Sequence, residues 1–185
     1  MGGQTVVERA VDALLRSKVD RLIVVVGFEW EKIRRQLHER NVRVVHNRQY
    51  REGMAASIRK GLRHIGQGSD GVLIALADHP LMTSDLINQL IEAFRKTYKG
   101  ILCPTYQGRR GHPVIFDLKK YGKTLSQLKG DIGGRALIEA HRDDVLEFAV
   151  DSLGVIRDID VWEDYEESRK LLTGEFPGYD EKNKG

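Results

Sequence analysis

The chain has little of several residue types, and each shortage excludes a class of protein. Cys103 is the single cysteine among 185 residues, which excludes an internal disulfide framework and a metal site built from cysteines. Aromatic residues make up 7% of the chain and are not interleaved with the basic ones. Because no zinc finger, RNP-type or basic-region pattern is present either, we expect no nucleic acid partner.

Long apolar runs are also missing. None approaches the roughly 20 residues that a membrane-spanning helix needs, and no signal peptide opens the sequence. We therefore expect a cytoplasmic protein with no membrane partner.

What the chain does contain fits one globular domain. Hydrophobic residues make up 41% and charged residues 31% of the sequence, which is typical of neither disordered nor membrane proteins. The length allows one domain with a sizeable core and is short for two. Cys103 lies in an apolar run, so we predict that it is a core residue and not a nucleophile.

The charges are unevenly distributed around a net charge of +3. Residues 109–135 are rich in Arg and Lys, whereas residues 139–166 are rich in acidic residues. A cationic stretch suits a phosphorylated substrate, although a solvated basic face is the commoner reason for such a run.

The sequence is organised around a run of six apolar residues, 72–77, which follows Gly71 and precedes Asp78, His79 and Pro80. A short apolar run with these flanks predicts a buried parallel strand. Asp78 then lies at a carboxyl end, where open α/β sheets bind their ligands. The alternative is that Asp78 only begins a turn, since Asp before a proline-containing loop is ordinary turn chemistry.

Helix and strand patterns alternate along the rest of the chain, as in βαβ units with a parallel sheet. Thr5 and Glu8 hold the positions of a capping box before the first helix. The loop 106–111 is too short for a helical crossover, so the strand after it should run antiparallel to its neighbour. The predicted helices are 6–17, 29–40, one ending near 65, 85–98, 130–140 and 161–172, and the predicted strands are 22–26, 42–45, 72–77, 101–103, 113–116, 145–150 and 155–160.

Five separated motifs occur in order over residues 2–172. They are Glu-Gly-Met-Ala-Ala-Ser at 52–57, Asp-His-Pro at 78–80, Gly-Arg-Arg-Gly-His-Pro at 108–113, Gly-Asp-Ile-Gly-Gly-Arg at 130–135 and Asp-Ile-Asp at 158–160. Each motif alone is weak. The ordered set resembles the molybdenum cofactor cytidylyltransferases, which are members of the MobA-like NTP transferase family.

The resemblance implies a fold and a reaction. The fold is a three-layer α/β/α, Rossmann-like nucleotidyltransferase domain with a mostly parallel sheet, covering residues 1–173 and followed by a flexible tail, 174–185. The reaction moves CMP from CTP to the phosphate of molybdopterin, with Mg²⁺ as cofactor and release of pyrophosphate. A molybdoenzyme or its chaperone is implied as a transient partner.

The resemblance also assigns roles to individual positions. Asp78 and Asp160 match the two catalytic, metal-binding aspartates. Gly53 and Ser57, together with Asp78, match the nucleotide-binding positions. The positions on the side of the second substrate are Gly111, His112, Pro113, Gly133, Gly134 and Arg135.

General chemistry agrees with these roles. Mg²⁺ takes oxygen ligands, usually one or two carboxylates with substrate phosphates and water. Gly133 and Gly134 at a helix start would present backbone N–H groups to an anion, with Arg135 nearby, although an ordinary loop is the alternative. His112 is more often a packed loop residue than a catalytic acid, and Asp158 is either a shared ligand or a support for Asp160.

One family feature is absent from the sequence, and other positions depart from the usual pattern. The glycine-rich segment LAAGxSxRMGxxK, which cradles the triphosphate, should come before Gly2. We therefore hypothesise that the chain is truncated at its amino end and lacks the first strand of the sheet. Such a loss would cost on the order of 10 kcal/mol of hydrophobic stabilisation. The smaller departures are Ala55, Ala56, Ala77 and His79.

Two other functions stay open. A sister enzyme could transfer GMP to the pterin cofactor or a nucleotide to a sugar phosphate, and the base-reading loops decide between these. A module that binds the pterin but is catalytically silent is the second alternative, because the triphosphate loop is absent.

Overall fold

The computed structural model describes residues 4–130, 134–159 and 162–173. The helices are α1 Val6–Leu15, α2 Trp30–Gln36, α3 Met54–Leu62, α4 Ser84–Lys96, α5 Leu118–Ser126, α6 Arg135–Ala140 and α7 Trp162–Thr173. The strands are β1 Ile23–Val26, β2 Arg43–His46, β3 Gly71–Ile74, β4 Ile101–Tyr106, β5 Arg109–Arg110, β6 Val114–Asp117 and β7 Val145–Ala149.

The described strands form two sheets. β1 and β2 pair in parallel, and the larger sheet has the order β3-β6-β4-β5 with β7 also beside β4. β6 runs antiparallel to both β3 and β4, whereas β7 is parallel to β4. The antiparallel direction predicted for the strand after the 106–111 loop is therefore confirmed.

The larger sheet is covered by helices on both faces, which gives the α/β/α arrangement. Alternate residues of a strand point to opposite faces. On one face Ile101, Cys103 and Phe116 pack against α5 and α6. On the other face Leu102 and Ile115 pack against α4. The predicted three-layer, Rossmann-like class is confirmed.

The strand that we predicted as the buried centre of the sheet needs a correction. β3 ends at Ile74, three residues earlier than the apolar run. Residues 72–76 are only partly buried, because among the described strands β3 pairs along one edge only, antiparallel with β6. The prediction of a buried parallel strand over 72–77 was therefore wrong, although Asp78 still follows the carboxyl end of a strand.

Helices α1 and α3 each lie against both sheets. Ala10, Ala13 and Leu14 of α1 belong to a cluster against which Leu22, before β1, and Leu73, within β3, pack. α3 contacts β1, and its Ile58 and Leu62 pack on the cluster that Val72 and Ile74 also cover. In the part of the chain that the structure describes, no hydrogen-bonded ladder joins β1 to β3.

Three local predictions fared differently. Cys103 is 1% exposed, and burial raises the pKa of its thiol to about 11, which confirms a core role. Helix α5 was not predicted. Residues 155–159 do not form the predicted strand, because a short 3-10 helix, Leu153–Val155, and a loop take their place.

The tail 174–185 lies outside the described residues, and the extent of the domain, 1–173, stays a prediction. No helix in the described ranges is long and apolar enough to cross a membrane.

Helix α1 is fixed by its capping box and by an ion-pair network. The Thr5 side chain accepts from the Glu8 N–H and the Glu8 side chain accepts from the Thr5 N–H, as predicted. Arg40 Nε donates to Asp12 Oδ1 at 2.6 Å and Arg40 Nη1 contacts Glu8 Oε1 at 3.1 Å. The side chains of this network are 16–18% exposed, so solvent screens them only in part.

This network predicts an acid-sensitive contribution to stability. The Arg40 guanidinium, which hydrogen-bonds Asp12, lowers the pKa of Asp12. A lowered carboxyl pKa stabilises the fold above the unfolded-state pKa, and the contribution is lost as the pH falls through the folded-state value. Asp12→Asn should therefore reduce the unfolding free energy at pH 7 by about 1 kcal/mol and flatten its decline below pH ~4.

Urea unfolding at a series of pH values measures this effect. Glu92→Gln is the matched control, because the Glu92 pair with Lys18 is about half exposed and should contribute little. Equal pH profiles for wild type and Asp12→Asn would contradict the prediction.

Candidate active site

Asp78 lies in the turn that follows β3, and one of its carboxylate oxygens makes no hydrogen bond within the described ranges. The Asp78 side chain is 46% exposed, yet its Oδ1 is buried and makes no hydrogen bond among the described residues. The Asp78 backbone carbonyl accepts the N–H of Ile159 at 3.0 Å. An ionised carboxylate with one buried, unsatisfied oxygen is typical of a site that receives a cation or a hydrogen-bond donor.

His79 is almost fully buried beside this carboxylate. It is 4% exposed, and its Nδ1 lies 3.4 Å from the carbonyl oxygen of Gly154. Since a carbonyl only accepts, this contact assigns the proton to Nδ1. Nε2 then faces Asp78 Oδ1 at 3.8 Å.

His112 packs edge-on against His79, with the ring centroids 5.7 Å apart. Burial lowers the pKa of His112, and the nearby His79 lowers it further. The Ile74 carbonyl and the carboxylates of Asp78 and Asp158 act in the opposite direction. The His112 Nδ1 is buried and has no hydrogen-bond partner among the described residues.

The turn 153–155 contacts both histidines, His79 and His112. The His112 N–H donates to the Val155 carbonyl at 2.7 Å. A Cβ at Gly111 would lie 2.1 Å from the same oxygen, and a Cβ at Gly154 would lie 2.5 Å from the Leu81 carbonyl oxygen. Only glycine fits these close backbone approaches. Sequence analysis missed Gly154, for which the only local signal was a glycine in a polar loop.

Two further predicted positions belong to a second group of residues. Gly53 has φ 95° and precedes α3, in the left-handed region that favours glycine. Ser57 Oγ accepts from Asn47 Nδ2 at 3.1 Å. Asn47 is 3% exposed and was not predicted. The Ala55 N–H donates to the Gly130 carbonyl at 3.2 Å, so the structure brings the 52–57 motif next to the start of the 130–135 motif.

The other predicted positions have mixed outcomes. Pro113 is buried next to β6, and the His112–Pro113 peptide is cis. A Cβ at Gly134 would lie 3.0 Å from the Phe116 ring, so close packing also explains this glycine. Arg135 begins α6 with an exposed side chain. Asp160 and Gly133 lie outside the described residues.

The residues present fit a hard divalent cation held mainly by substrate oxygens. Within the described ranges, no group of three or more His, Cys, Asp or Glu side chains is arranged to hold a metal ion. Asp78 offers a carboxylate with one unsatisfied oxygen, and Asp160 follows Ile159 in the chain. One or two carboxylates with phosphate oxygens and water make a usual Mg²⁺ set.

An α/β/α domain with an aspartate after a strand end and glycine-rich turns near it is an organisation shared by many nucleotide-binding domains. The sequence profile of the MobA-like NTP transferase domain matches residues 1–145. The chain belongs to this family and is a nucleotidyltransferase, as the resemblance implied.

Individual relatives are distant. The chain is 25% identical over 142 residues to nicotine blue oxidoreductase of Paenarthrobacter nicotinovorans, covering 74% of this chain and 69% of that protein. It is 30% identical over 126 residues to the purine catabolism protein PucB of Bacillus subtilis (strain 168), covering 66% and 58%. The chain thus spans little more than half of PucB.

A solved structure has the same fold. Rv0371c of Mycobacterium tuberculosis H37Rv, in a complex with manganese, superposes with a TM-score of 0.76 at 28% identity, covering 89% of this chain and 86% of that one.

Proposed function

We propose that this chain is a divalent-metal-dependent cytidylyltransferase that moves CMP from CTP to the phosphate of a molybdopterin-type cofactor and releases pyrophosphate. The observation that carries the proposal is the Asp78 carboxylate after β3, whose buried Oδ1 makes no hydrogen bond among the described residues. The manganese complex of the related Rv0371c supports a divalent cation, and we propose Mg²⁺ for this chain.

In the proposed reaction an oxygen of the acceptor phosphate attacks the α-phosphorus of CTP. The new P–O bond forms as the bond to the β-phosphate oxygen breaks, and pyrophosphate leaves with the electron pair. Transfers of this kind need positioning and charge stabilisation, not a protein nucleophile. Asp78 and Asp160 would hold Mg²⁺, which when bound would polarise the phosphate oxygens.

The other residues would position the two substrates. Gly53 and Ser57 would lie beside the nucleotide, and the hydrogen bond from Asn47 would fix the Ser57 hydroxyl. The second substrate would lie along Gly111, His112 and Pro113 and along Gly133, Gly134 and Arg135. His112 would offer its Nδ1, which makes no hydrogen bond among the described residues, to a polar group of this substrate.

The triphosphate requires further contacts, and the sheet indicates where a segment could supply them. Among the described residues, β1 and β3 each have one unpaired edge, and α1 and α3 pack against both sheets. These observations support the proposal that a strand preceding the described residues lies between β1 and β3 and carries the triphosphate loop.

The test is nucleotide transfer, measured as pyrophosphate release with CTP, GTP or UTP, Mg²⁺ and molybdopterin. The assay uses the 185-residue chain and a chain lengthened by the residues encoded in frame before Met1. Acceptor-dependent release with CTP by either chain supports the proposal. Preference for GTP or UTP would assign a sister activity, and pterin binding without turnover by both chains would indicate a silent binding module.

A further inference from the structure

His79 is the most buried titratable group near the site, and the proposed reaction gives it no role. Its ring lies between three segments that are far apart in sequence: its own turn after β3, the loop before β6 and the turn 153–155. It contacts the Gly154 carbonyl through Nδ1 at 3.4 Å and the His112 ring edge-on at 5.7 Å. Such a position is typical of a residue that orients others.

The contact with Gly154 holds a turn that is already tightly confined. The Gly154 backbone touches the Leu81 carbonyl so closely that a Cβ would clash at 2.5 Å. The neighbouring Val155 carbonyl accepts the His112 N–H at 2.7 Å. Any shift of this turn therefore moves the backbone of His112.

The same turn leads directly to Asp78. Four residues after Val155, the Ile159 N–H donates to the Asp78 carbonyl at 3.0 Å. Between them Arg157 forms ion pairs with Asp164, at 3.9 Å, and with Glu167 of α7. The segment is thus fixed at both ends, and His79 contacts its amino-terminal end.

We propose that His79 is a positioning residue, which holds the turn 153–155 through its Nδ1–H and thereby orients His112 and Asp78 towards one another. The consequence of that orientation for catalysis rests on the proposed function, but the orientation itself does not. His79 touches no reacting atom in this proposal.

Two substitutions separate the hydrogen bond from the volume of the ring. In His79→Asn the amide nitrogen can occupy the position of Nδ1 and keep the donor to Gly154. In His79→Leu the apolar volume is kept, but the donor is lost and the buried carbonyl is left unsatisfied. A control outside the site is His141→Leu, because His141 is an exposed histidine that packs edge-on on the Tyr121 ring at 5.1 Å.

The primary measurement is amide hydrogen exchange by NMR on the full chain, which needs no substrate. In His79→Leu the amides of His112 and Ile159 should exchange about 3- to 10-fold faster, the effect of one lost hydrogen bond. Amides in the centre of β4 should be unchanged. His79→Asn and His141→Leu should match wild type at His112 and Ile159.

Every other pattern overturns the proposal. If His79→Asn exchanges as fast as His79→Leu, the donor is not what holds the turn. If the β4 amides accelerate equally, His79 only contributes to overall stability. Unchanged exchange in His79→Leu would show that the turn is held without His79.

Kinetics tests the catalytic consequence with the chain that transfers nucleotide. In His79→Leu kcat should fall about 10- to 100-fold, as expected for misplaced reacting groups, while KM for CTP stays within about twofold. His79→Asn should restore kcat, and an unchanged kcat in His79→Leu would overturn the catalytic part. A wild type without transfer activity refutes the proposed function instead, and the exchange result still decides the role of His79.

Discussion

Asp78→Asn is expected to reduce kcat for nucleotide transfer by about two to three orders of magnitude, the size of effect seen when one preorganised charge-stabilising group is removed. The amide retains the shape of the carboxylate but loses its charge and one of its two acceptor oxygens. The buried Oδ1, which makes no hydrogen bond among the described residues, would no longer attract a cation.

Metal binding should change together with the rate. Mn²⁺, followed by calorimetry or by its EPR signal, should bind at least about tenfold more weakly to Asp78→Asn. Addition of EDTA should abolish transfer by wild type, and excess Mg²⁺ should restore it.

The fold should tolerate this change, because the Asp78 side chain is 46% exposed and the hydrogen bond from Ile159 goes to the backbone carbonyl. The matched control is Asp70→Asn. Asp70 precedes the other end of β3 and is 87% exposed, so its replacement should leave kcat unchanged. Retention of more than about a tenth of the activity by Asp78→Asn would refute the role of Asp78, since a metal-binding carboxylate should be worth more.

Gly111→Ala should cause the largest loss of stability in the site, about 2 to 3 kcal/mol, as expected for an added methyl group in a fully packed position. Its Cβ would lie 2.1 Å from the carbonyl oxygen of Val155 and 2.6 Å from the carbonyl carbon. Both atoms belong to the backbone, so no side-chain rotation relieves the contact. The loop 108–113 and the turn 153–155 must separate.

Guanidinium unfolding measures this loss, and Gly122→Ala is its control. Gly122 lies inside α5, where an added Cβ would have its nearest neighbour at 3.7 Å, an ordinary contact. Gly122→Ala should raise stability by about 0.5 to 1 kcal/mol, because alanine favours the helix and restricts the unfolded chain. A Gly111→Ala protein as stable as wild type would show that the two segments can separate without cost.

The two glycines illustrate how far local sequence reasoning extends. The motif 108–113 drew attention to Gly111 through its resemblance to a family, but the reason for glycine there is the carbonyl of a residue 44 positions later. No short-range pattern contains that information. Gly122, in contrast, lies inside α5, where an added Cβ would make only ordinary contacts with its own helix.

The sequence by itself determined the features that depend on neighbours along the chain. These are the capping box of Thr5 and Glu8, the alternation of helices and strands, the reversed direction of β6 and the position of Asp78 after a strand. Each follows from local hydrogen bonding, from side-chain periodicity or from the length of a loop. The family also followed from the sequence, because the order of its motifs is a property of the chain.

Only the tertiary structure decided what depends on contacts between distant segments. Within the described ranges it leaves one edge of β3 unpaired and the strand only partly buried, although its residues suit the centre of a sheet. It also placed Gly154, 75 residues after His79, against the buried histidine. Burial and pairing are set by what packs against a segment in three dimensions, and the composition of the segment alone cannot specify that.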